Sequence, residues 1–222
     1  MTGYKNPEKI RNLFNEIAEY YDRTNNFISL FTHYIIKYLA LRELKIRPRS
    51  MILDVCCGTG DFTKIIKKIY PRTKVIGVDF AQNMLKLAKL KNPQGVFILA
   101  DCLNLPFKDR EFNYVTAGFG LRNIENRTQA TAEIYRVLDF GGQFLHLDFG
   151  RHNKISRIFD LIVPNAIKIL KINSENYRHL INSKHEFPEP EKLIQEFENQ
   201  GFKLIKKFDY LFGVIAVQIM QK

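Results

Sequence analysis

The feature of this sequence that most constrains its fold is a regular alternation of short apolar runs and amphipathic segments between residues 51 and 149. The apolar runs predict strands, and the helical periodicity between them predicts helices. The predicted strands are 51–56, 74–79, 96–100, 112–117 and 143–149, and the predicted helices are 62–69, 82–91 and 127–138. Strands that alternate with helices favour a parallel sheet with helices packed on both faces.

The flanking segments add helices on one side and both helices and strands on the other. Asn6-Pro7-Glu8 is typical of a helix start, and the apolar spacing after it predicts a helix that ends near Tyr21. The other predicted elements are helices at 26–44, 156–170 (interrupted by Pro164) and 190–201, and strands at 202–209 and 213–220. We therefore expect an α/β fold with a doubly wound, mostly parallel, seven-stranded sheet preceded by N-terminal helices.

A glycine-containing loop joins the first predicted strand to the helix after it. The loop reads Asp-Val-Cys-Cys-Gly-Thr-Gly-Asp over residues 54–61, and its glycines let the backbone pass close to a ligand. Open α/β sheets bind small molecules at the carboxyl ends of their strands. The spacing lacks the third glycine of a dinucleotide fingerprint and the Gly-Lys-Ser/Thr of a phosphate loop, so no pyrophosphate site is predicted.

Three successive predicted strands end in an aspartate. These residues, Asp54, Asp79 and Asp101, would place three acceptors along one rim of the sheet. Asp79 follows Gly60 by 19 residues, and a carboxylate there can accept hydrogen bonds from both ribose hydroxyls. Helix capping is the alternative interpretation of Asp79 and Asp101.

These motifs resemble those of the class I S-adenosylmethionine methyltransferases. More specifically, the chain resembles the ubiquinone/menaquinone C-methyltransferase (UbiE/MenG) family over nearly its whole length. The segments that carry this resemblance are 14–22, 58–61, 105–107, 119–123 and 177–178, among which Phe-Gly-Leu-Arg-Asn is distinctive. The resemblance implies transfer of a methyl group from S-adenosylmethionine to a ring carbon of a prenylated quinol, with S-adenosylhomocysteine as the second product.

The resemblance also implies two sets of site residues. The cofactor set contains Asp54, Gly58, Thr59, Gly60, Asp79, Asp101, Cys102 and Gly118, with Thr59 at the methionine end, Asp79 at the ribose, and Asp101 and Cys102 at the adenine. The catalytic set contains Tyr21, Asp61, Arg122 and Asn123, with Tyr177 as a lid contact. Arg122 would stabilise a developing phenolate, and Asp61 is a candidate for the base that removes the ring proton. A capped turn before the helix at 127–138 is the alternative for Arg122 and Asn123.

On this basis we expect a single methyltransferase domain over residues 1–222. Residues 1–47 would form a helical cap on the substrate side, and residues 48–150 would form the cofactor-binding core. Residues 151–222 would contribute a helical insertion and the C-terminal antiparallel strands.

Cysteine usage and the histidines argue against a disulfide scaffold or a metal site. The chain has three cysteines, an odd number without framework spacing. Cys56 and Cys57 are adjacent on a strand end, where their side chains would point to opposite faces. The histidines lack metal-ligand spacing, so no metal is expected.

The formal net charge of +11 favours anionic partners without choosing among them. The charge could reflect a lysine-rich solvated surface, or it could serve to bind acidic lipid or RNA. The sequence contains no evident platform of aromatic and basic residues for stacking on bases, so no nucleic-acid partner is expected. Rival functions are methylation of another small molecule, methylation of RNA and a non-catalytic binding role. A homodimer is compatible with the sequence.

A prenylated quinol resides in the bilayer, which would require transient contact with the membrane surface. The apolar residues of 155–172 could supply this contact, although packing against the sheet explains them as well. No signal peptide or membrane span is evident, so we expect a cytoplasmic protein that touches the inner face of the cell membrane.

Overall fold

The computed structural model describes residues 6–169 and 174–222. The helices are α1 (Pro7–Ser29), α2 (Thr32–Glu43), α3 (Asp61–Ile69), α4 (Gln82–Lys91), α5 (Arg127–Val137), α6 (Lys154–Ile169), α7 (Ser174–Glu186) and α8 (Pro190–Glu198). The strands are β1 (Met51–Val55), β2 (Lys74–Asp79), β3 (Val96–Leu99), β4 (Phe112–Gly118), β5 (Leu138–Phe149), β6 (Lys203–Tyr210) and β7 (Ile215–Gln221).

The seven strands form one sheet in the order β3-β2-β1-β4-β5-β7-β6. The first five strands along the chain pair in parallel, whereas β7 is antiparallel to both of its neighbours. The order reverses on either side of β1, and open α/β sheets bind ligands at such a switch point. The predicted fold class, a doubly wound and mostly parallel seven-stranded sheet, is confirmed.

Alternate side chains of the strands supply two hydrophobic clusters. Leu53 and Val115 pack in one cluster with residues of α5 and α8, whereas Ile52 and Tyr114 pack in the other with residues of α2 and α3. Successive strand side chains point to opposite faces of a sheet, so the two clusters lie on opposite faces. Both faces are therefore covered by helices, as a parallel sheet requires.

The N-terminal helices differ from their predicted bounds. The first helix continues past Tyr21 to Ser29, and polar side chains in its second half make hydrogen bonds within the helix. The hydroxyls of Thr24 and Ser29 donate to carbonyls one turn earlier, at 2.8 and 2.6 Å. The chain breaks only at Leu30 and Phe31, whose φ angles of 47° and 62° are left-handed.

Three predictions beyond β4 also need correction. Strand β5 begins at Leu138 rather than at residue 143, and α6 continues through Pro164 without the predicted interruption. Helix α7 was not predicted at all, since its polar sequence has weak amphipathic periodicity. Helix α2 begins at Thr32 instead of the predicted residue 26, because residues 26–29 belong to α1. The remaining elements lie within a few residues of their predicted bounds.

Candidate active site

The loop after β1 has a backbone conformation that glycine favours. Gly58 and Gly60 have φ angles of 55° and 79°, in the left-handed region, and α3 begins directly after Gly60. A β-carbon at Gly58 would meet no atom within 4 Å, so the loop faces open space there. A β-carbon at Gly60 would lie 3.1 Å from the Phe97 ring, where glycine lets α3 approach the sheet closely.

Asp54 ties this loop to its surroundings. One carboxylate oxygen accepts from the backbone N–H and the hydroxyl of Thr63, and the other accepts from the Thr116 hydroxyl at 2.9 Å. Burial raises the pKa of Asp54 to about 6, against the lowering effect of these bonds. Asp54 also lines a cavity beside the loop. Because both of its carboxylate oxygens already bond to Thr63 and Thr116, it can act on a ligand mainly by fixing the loop.

Asp79 lies at the end of β2 and holds the same loop from the other side. Its carboxylate oxygens accept from the backbone N–H groups of Gly58 and Ala81, at 2.8 and 2.9 Å. Burial raises its pKa, although these backbone hydrogen bonds act in the opposite direction. Asp101 is exposed and accepts from the backbone N–H of Leu103 at 2.9 Å. Asp79 and Asp101 therefore each accept from the backbone N–H two residues later, as the alternative interpretation of capping expects.

Two cavities meet above the carboxyl ends of the strands. The first has a volume of about 80 Å³ and includes Asp79, Asp101 and Cys102 in its lining. The second has a volume of about 280 Å³ and includes Asp61 and Arg122 in its lining. The residues that line both are Tyr21, Cys56, Gly58, Gly118 and Phe119. An elongated ligand could therefore lie across the glycine loop with one end in each cavity.

Gly118 lies at the end of β4 where both cavities meet. A β-carbon at this position would overlap the ring of Phe62, a residue of α3. Any larger residue would therefore have to displace that ring.

A cluster of charged side chains closes the second cavity on the side of the N-terminal helices. The Asp61 carboxylate pairs with Lys37 and with Lys91, each at 2.8 Å, and Lys91 also pairs with Asp22 at 2.7 Å. The Thr59 hydroxyl donates to Asp22 at 2.6 Å and accepts from Lys91 at 3.0 Å. These side chains come from α1, α2, α3, α4 and the glycine loop, and they join the N-terminal helices to the core.

The charges of this cluster set its protonation. Burial alone would raise the pKa of Asp61, but Lys37 and Lys91 outweigh it and lower that pKa far below its usual value. Burial, together with the charge of Lys37, lowers the pKa of His33 to about 4. At neutral pH the cluster therefore contains an ionised Asp61 and a neutral His33.

Arg122 and Asn123 lie on a short 3-10 helix, Leu121–Asn123, directly after β4. The Arg122 guanidinium is buried, pairs with Asp148 at 3.0 Å and lies 5.1 Å from the centre of the Phe149 ring. The Asn123 side-chain oxygen lies 2.8 Å from Nε2 of His179, which belongs to α7. Within the described residues, Nε of Arg122 and Oδ2 of Asp148 are buried polar atoms with no hydrogen-bond partner.

Comparison with known proteins assigns the chain to a family. It matches the ubiE/COQ5 methyltransferase family over residues 1–222. The chain belongs to this family. It is 35% identical to a demethylmenaquinone methyltransferase of Staphylococcus saprophyticus over 225 aligned residues, which cover 97% of each chain. It is also 34% identical to one from Staphylococcus aureus, covering 98% of this chain and 94% of the relative.

Solved structures agree on the fold. An S-adenosylmethionine-dependent methyltransferase from Thermotoga maritima is 19% identical, with a TM-score of 0.72, covering 95% of this chain and 99% of that one. The [4+2]-cyclase SpnF is 14% identical, with a TM-score of 0.65, covering 85% and 80% of the two chains. At these identities the likeness shows the fold alone.

The predicted site residues of this methyltransferase all lie near the two cavities. Tyr21, Gly58 and Gly118 line both cavities, and Gly60 directly precedes α3 beside them. Asp79, Asp101, Cys102 and Asn123 line the first cavity, and Asp54, Thr59, Asp61 and Arg122 line the second. The side chain of Tyr177 lies outside the described residues.

Sequence reasoning missed four partners of these residues: Asp22, Lys37, Lys91 and Asp148. Asp148 had a signal, since it lies near the end of a strand as Asp54, Asp79 and Asp101 do. The two lysines had none, because exposed and buried lysines look alike in a lysine-rich sequence. Among the described residues no group of three or more His, Cys, Asp or Glu side chains is arranged to hold a metal ion.

Proposed function

We propose that this methyltransferase transfers a methyl group from S-adenosylmethionine to a ring carbon of a prenylated quinol. The observation that carries the proposal is the pair of joined cavities, of which the second is largely apolar and contains the buried Arg122. The relatives named demethylmenaquinone methyltransferase support a naphthoquinol as the acceptor, and the related benzoquinol is the alternative.

The residues of the first cavity suit the nucleoside part of S-adenosylmethionine. Asp79 can accept from ribose hydroxyls with the lone pairs that its two backbone bonds leave free. The open space at Gly58 lets a ligand approach the backbone. Asp101 and Cys102 would contact the adenine at the far end of that cavity.

The charged cluster suits the amino-acid end of the same molecule. An ammonium group and a carboxylate on one carbon match the alternating charges of Asp61 and Lys37. Thr59, beside them, would complete that end of the site. The bound S-adenosylmethionine supplies an electrophilic methyl group and leaves as S-adenosylhomocysteine.

Arg122 is positioned to act on the acceptor. A quinol ring carbon becomes nucleophilic as the neighbouring hydroxyl loses its proton, and the buried guanidinium stabilises the phenolate that forms. Tyr21, which lines both cavities, and Asn123, which lines the first, would orient the ring where the cavities meet. The base that removes the ring proton stays a prediction. Lys37 and Lys91 make Asp61 a weak base, because they lower its pKa far below neutrality.

The test is transfer of radiolabelled methyl groups from S-adenosylmethionine to demethylated naphthoquinol and benzoquinol, both kept reduced. Arg122→Ala should lower kcat/KM by about 100-fold or more, as loss of a preorganised electrostatic group does. The matched control is Arg127→Ala, since Arg127 also pairs with a carboxylate, Glu196 at 2.9 Å, but lines neither cavity. Circular dichroism of both variants would show whether they keep the fold.

Two outcomes would refute parts of the proposal. If S-adenosylhomocysteine binds and neither quinol is labelled, the acceptor assignment is wrong. If Arg122→Ala and Arg127→Ala lose activity equally, Arg122 has no special part in the reaction.

The wider expectations about this chain stay predictions. They are a helical cap at 1–47, a cofactor-binding core at 48–150, a C-terminal part at 151–222, a cytoplasmic location, a homodimer and the absence of a nucleic-acid partner.

Membrane contact also stays a prediction at this point. No helix within residues 6–169 and 174–222 is long and apolar enough to cross a bilayer.

A further inference from the structure

Two turns of the chain present large apolar side chains to solvent. Leu30 and Phe31, between α1 and α2, are 78% and 60% exposed. Leu211 and Phe212, between β6 and β7, are 48% and 82% exposed. We call these two pairs the Leu-Phe turns.

The backbone of both turns makes their composition unusual. All four residues have positive φ angles, of 47°, 62°, 52° and 56° in chain order. Glycine, asparagine and aspartate adopt this region at least cost, whereas bulky residues rarely do. The turns themselves therefore do not require leucine or phenylalanine, and polar residues would fit them better.

The Leu-Phe turns lie at the mouth of the second cavity. Leu30 and Leu211 both line it, together with the buried Arg122 that we assign to the acceptor ring. A volume of about 280 Å³ is slightly below the range of about 300–1,000 Å³ that is usual for ligand pockets, so a long prenyl chain on the proposed substrate would extend out of this mouth. The exposed side chains therefore border the path of an apolar chain.

The start of α6 extends this surface and adds positive charge. The Asn153 side chain donates to the carbonyl of Phe212 at 2.7 Å, which fixes α6 beside the second turn. Ile155 and Ile158 of α6 are exposed, and so are the cationic residues Lys154 and Arg157. Exposed apolar side chains ringed by cations are typical of surfaces that bind anionic lipid.

We propose that the two Leu-Phe turns form a membrane-docking face that inserts into an anionic bilayer and places the mouth of the second cavity against the lipid. The inference rests on the proposed quinol substrate, which must enter from the bilayer. Separate projecting tips suit insertion between lipid headgroups, whereas a stable protein partner needs a broad complementary surface. The cations beside the tips match the charge of anionic lipid and the net charge of +11.

The test is sedimentation of the purified protein with vesicles of phosphatidylcholine, alone or mixed with phosphatidylglycerol, without cofactor or quinol. The double variant Phe31→Asn/Phe212→Asn removes two apolar tips and keeps residues that tolerate a positive φ. The matched control is Phe140→Asn, which is 67% exposed near the start of β5, at the opposite end of the sheet.

Binding should be stronger to the mixed vesicles than to phosphatidylcholine alone. The double variant should bind them at least about tenfold more weakly than the wild-type protein, because two large apolar side chains no longer leave water. Phe140→Asn should bind like the wild-type protein. Failure of the wild-type protein to bind either vesicle, or equal binding by the double variant, would overturn the proposal. A wild-type dimer that binds no vesicle and dissociates in the double variant would assign the face to a second copy of the chain.

A parallel assay separates this inference from the proposed function. The double variant should methylate a water-soluble quinol with a short tail at the wild-type rate, and a long-tailed quinol in vesicles more slowly. An equal loss on both substrates would show that the turns shape the active site instead of docking it. If the wild-type protein methylates neither quinol, the proposed function fails while the vesicle result stands on its own.

Discussion

Breaking the buried ion pair between Arg122 and Asp148 should cost much more stability than breaking an equivalent pair on the surface. The side chains of Arg122 and Asp148 are 6% and 0% exposed, and the closest nitrogen and oxygen are 3.0 Å apart. Asp148→Asn removes the negative charge and nearly preserves the shape. The Asn side-chain oxygen can still accept from the Phe149 backbone N–H, as Oδ1 of Asp148 does.

The magnitude follows from what the substitution leaves behind. Arg122 would remain buried with hydrogen bonds to the Phe119 carbonyl and to the amide oxygen at position 148, but its charge would no longer be balanced by a carboxylate. Removing one partner of a buried pair typically costs about 3–5 kcal/mol. Because Arg122 lines a cavity that water can enter, we expect the lower end, about 3 kcal/mol.

The chain contains a matched control for this measurement. Arg151 and Glu191 form an ion pair at 3.3 Å with side chains 56% and 51% exposed, so Glu191→Gln should cost less than about 1 kcal/mol. Urea denaturation of the two variants and the wild-type protein gives the free energies of unfolding. The double variant Arg122→Met/Asp148→Leu should recover most of the loss, since no charge is then buried alone. Equal small losses for Asp148→Asn and Glu191→Gln would refute the reasoning, because they would mean that Arg122 is fully hydrated.

Two further predictions concern the charged cluster. The pKa of Asp61 is lowered in the folded state, so its ionisation stabilises the fold fully above the unfolded pKa of about 4, and this contribution is lost progressively as the pH falls from there towards the much lower folded pKa. Asp61→Asn should therefore lower the free energy of unfolding in urea at neutral pH, and the difference from the wild-type protein should begin to shrink below about pH 4. A difference that stays constant between pH 7 and pH 3 would contradict the assignment. His33 should titrate by NMR with a pKa of about 4, and Lys37→Met should raise that pKa by removing a nearby positive charge. An unchanged pKa of His33 in Lys37→Met would show that the charge of Lys37 does not contribute to the lowering.

The sheet could be predicted from the sequence because its strands are short apolar runs, whereas the connecting helices have apolar residues at helical spacing. The runs that formed β2 and α4 have the predicted bounds, since each is flanked by turn residues. Helix α7 could not be predicted, because a polar helix has no apolar period to detect. The extension of α1 to Ser29 was missed for a similar reason, because hydroxyl bonds inside the helix leave no trace in the apolar pattern.

Some features of the site could likewise be predicted from the sequence, and others could not. Asp54, Asp79 and the glycine loop are local features, and each could be recognised from its position after a strand. The contacts of Asp61 with Lys37 and Lys91 join residues 24 and 30 positions apart in the chain, and Arg122 meets Asp148 across 26 positions. Sequence spacing does not specify such pairs, because they depend on how the helices pack over the sheet.

The two cavities differ in which parts of the chain line them, and this difference indicates which residues determine the acceptor. SpnF shares the fold, and its name describes a cyclase, so the fold alone does not specify methyl transfer to a given ring. The first cavity is lined largely by the strand ends and the loops that follow them. The second is lined in large part by elements outside residues 48–150, including Leu30 and Ile36 at one side and Leu211 and Val214 at the other. Substitutions of these four residues should therefore change acceptor preference and leave the binding of S-adenosylhomocysteine unchanged.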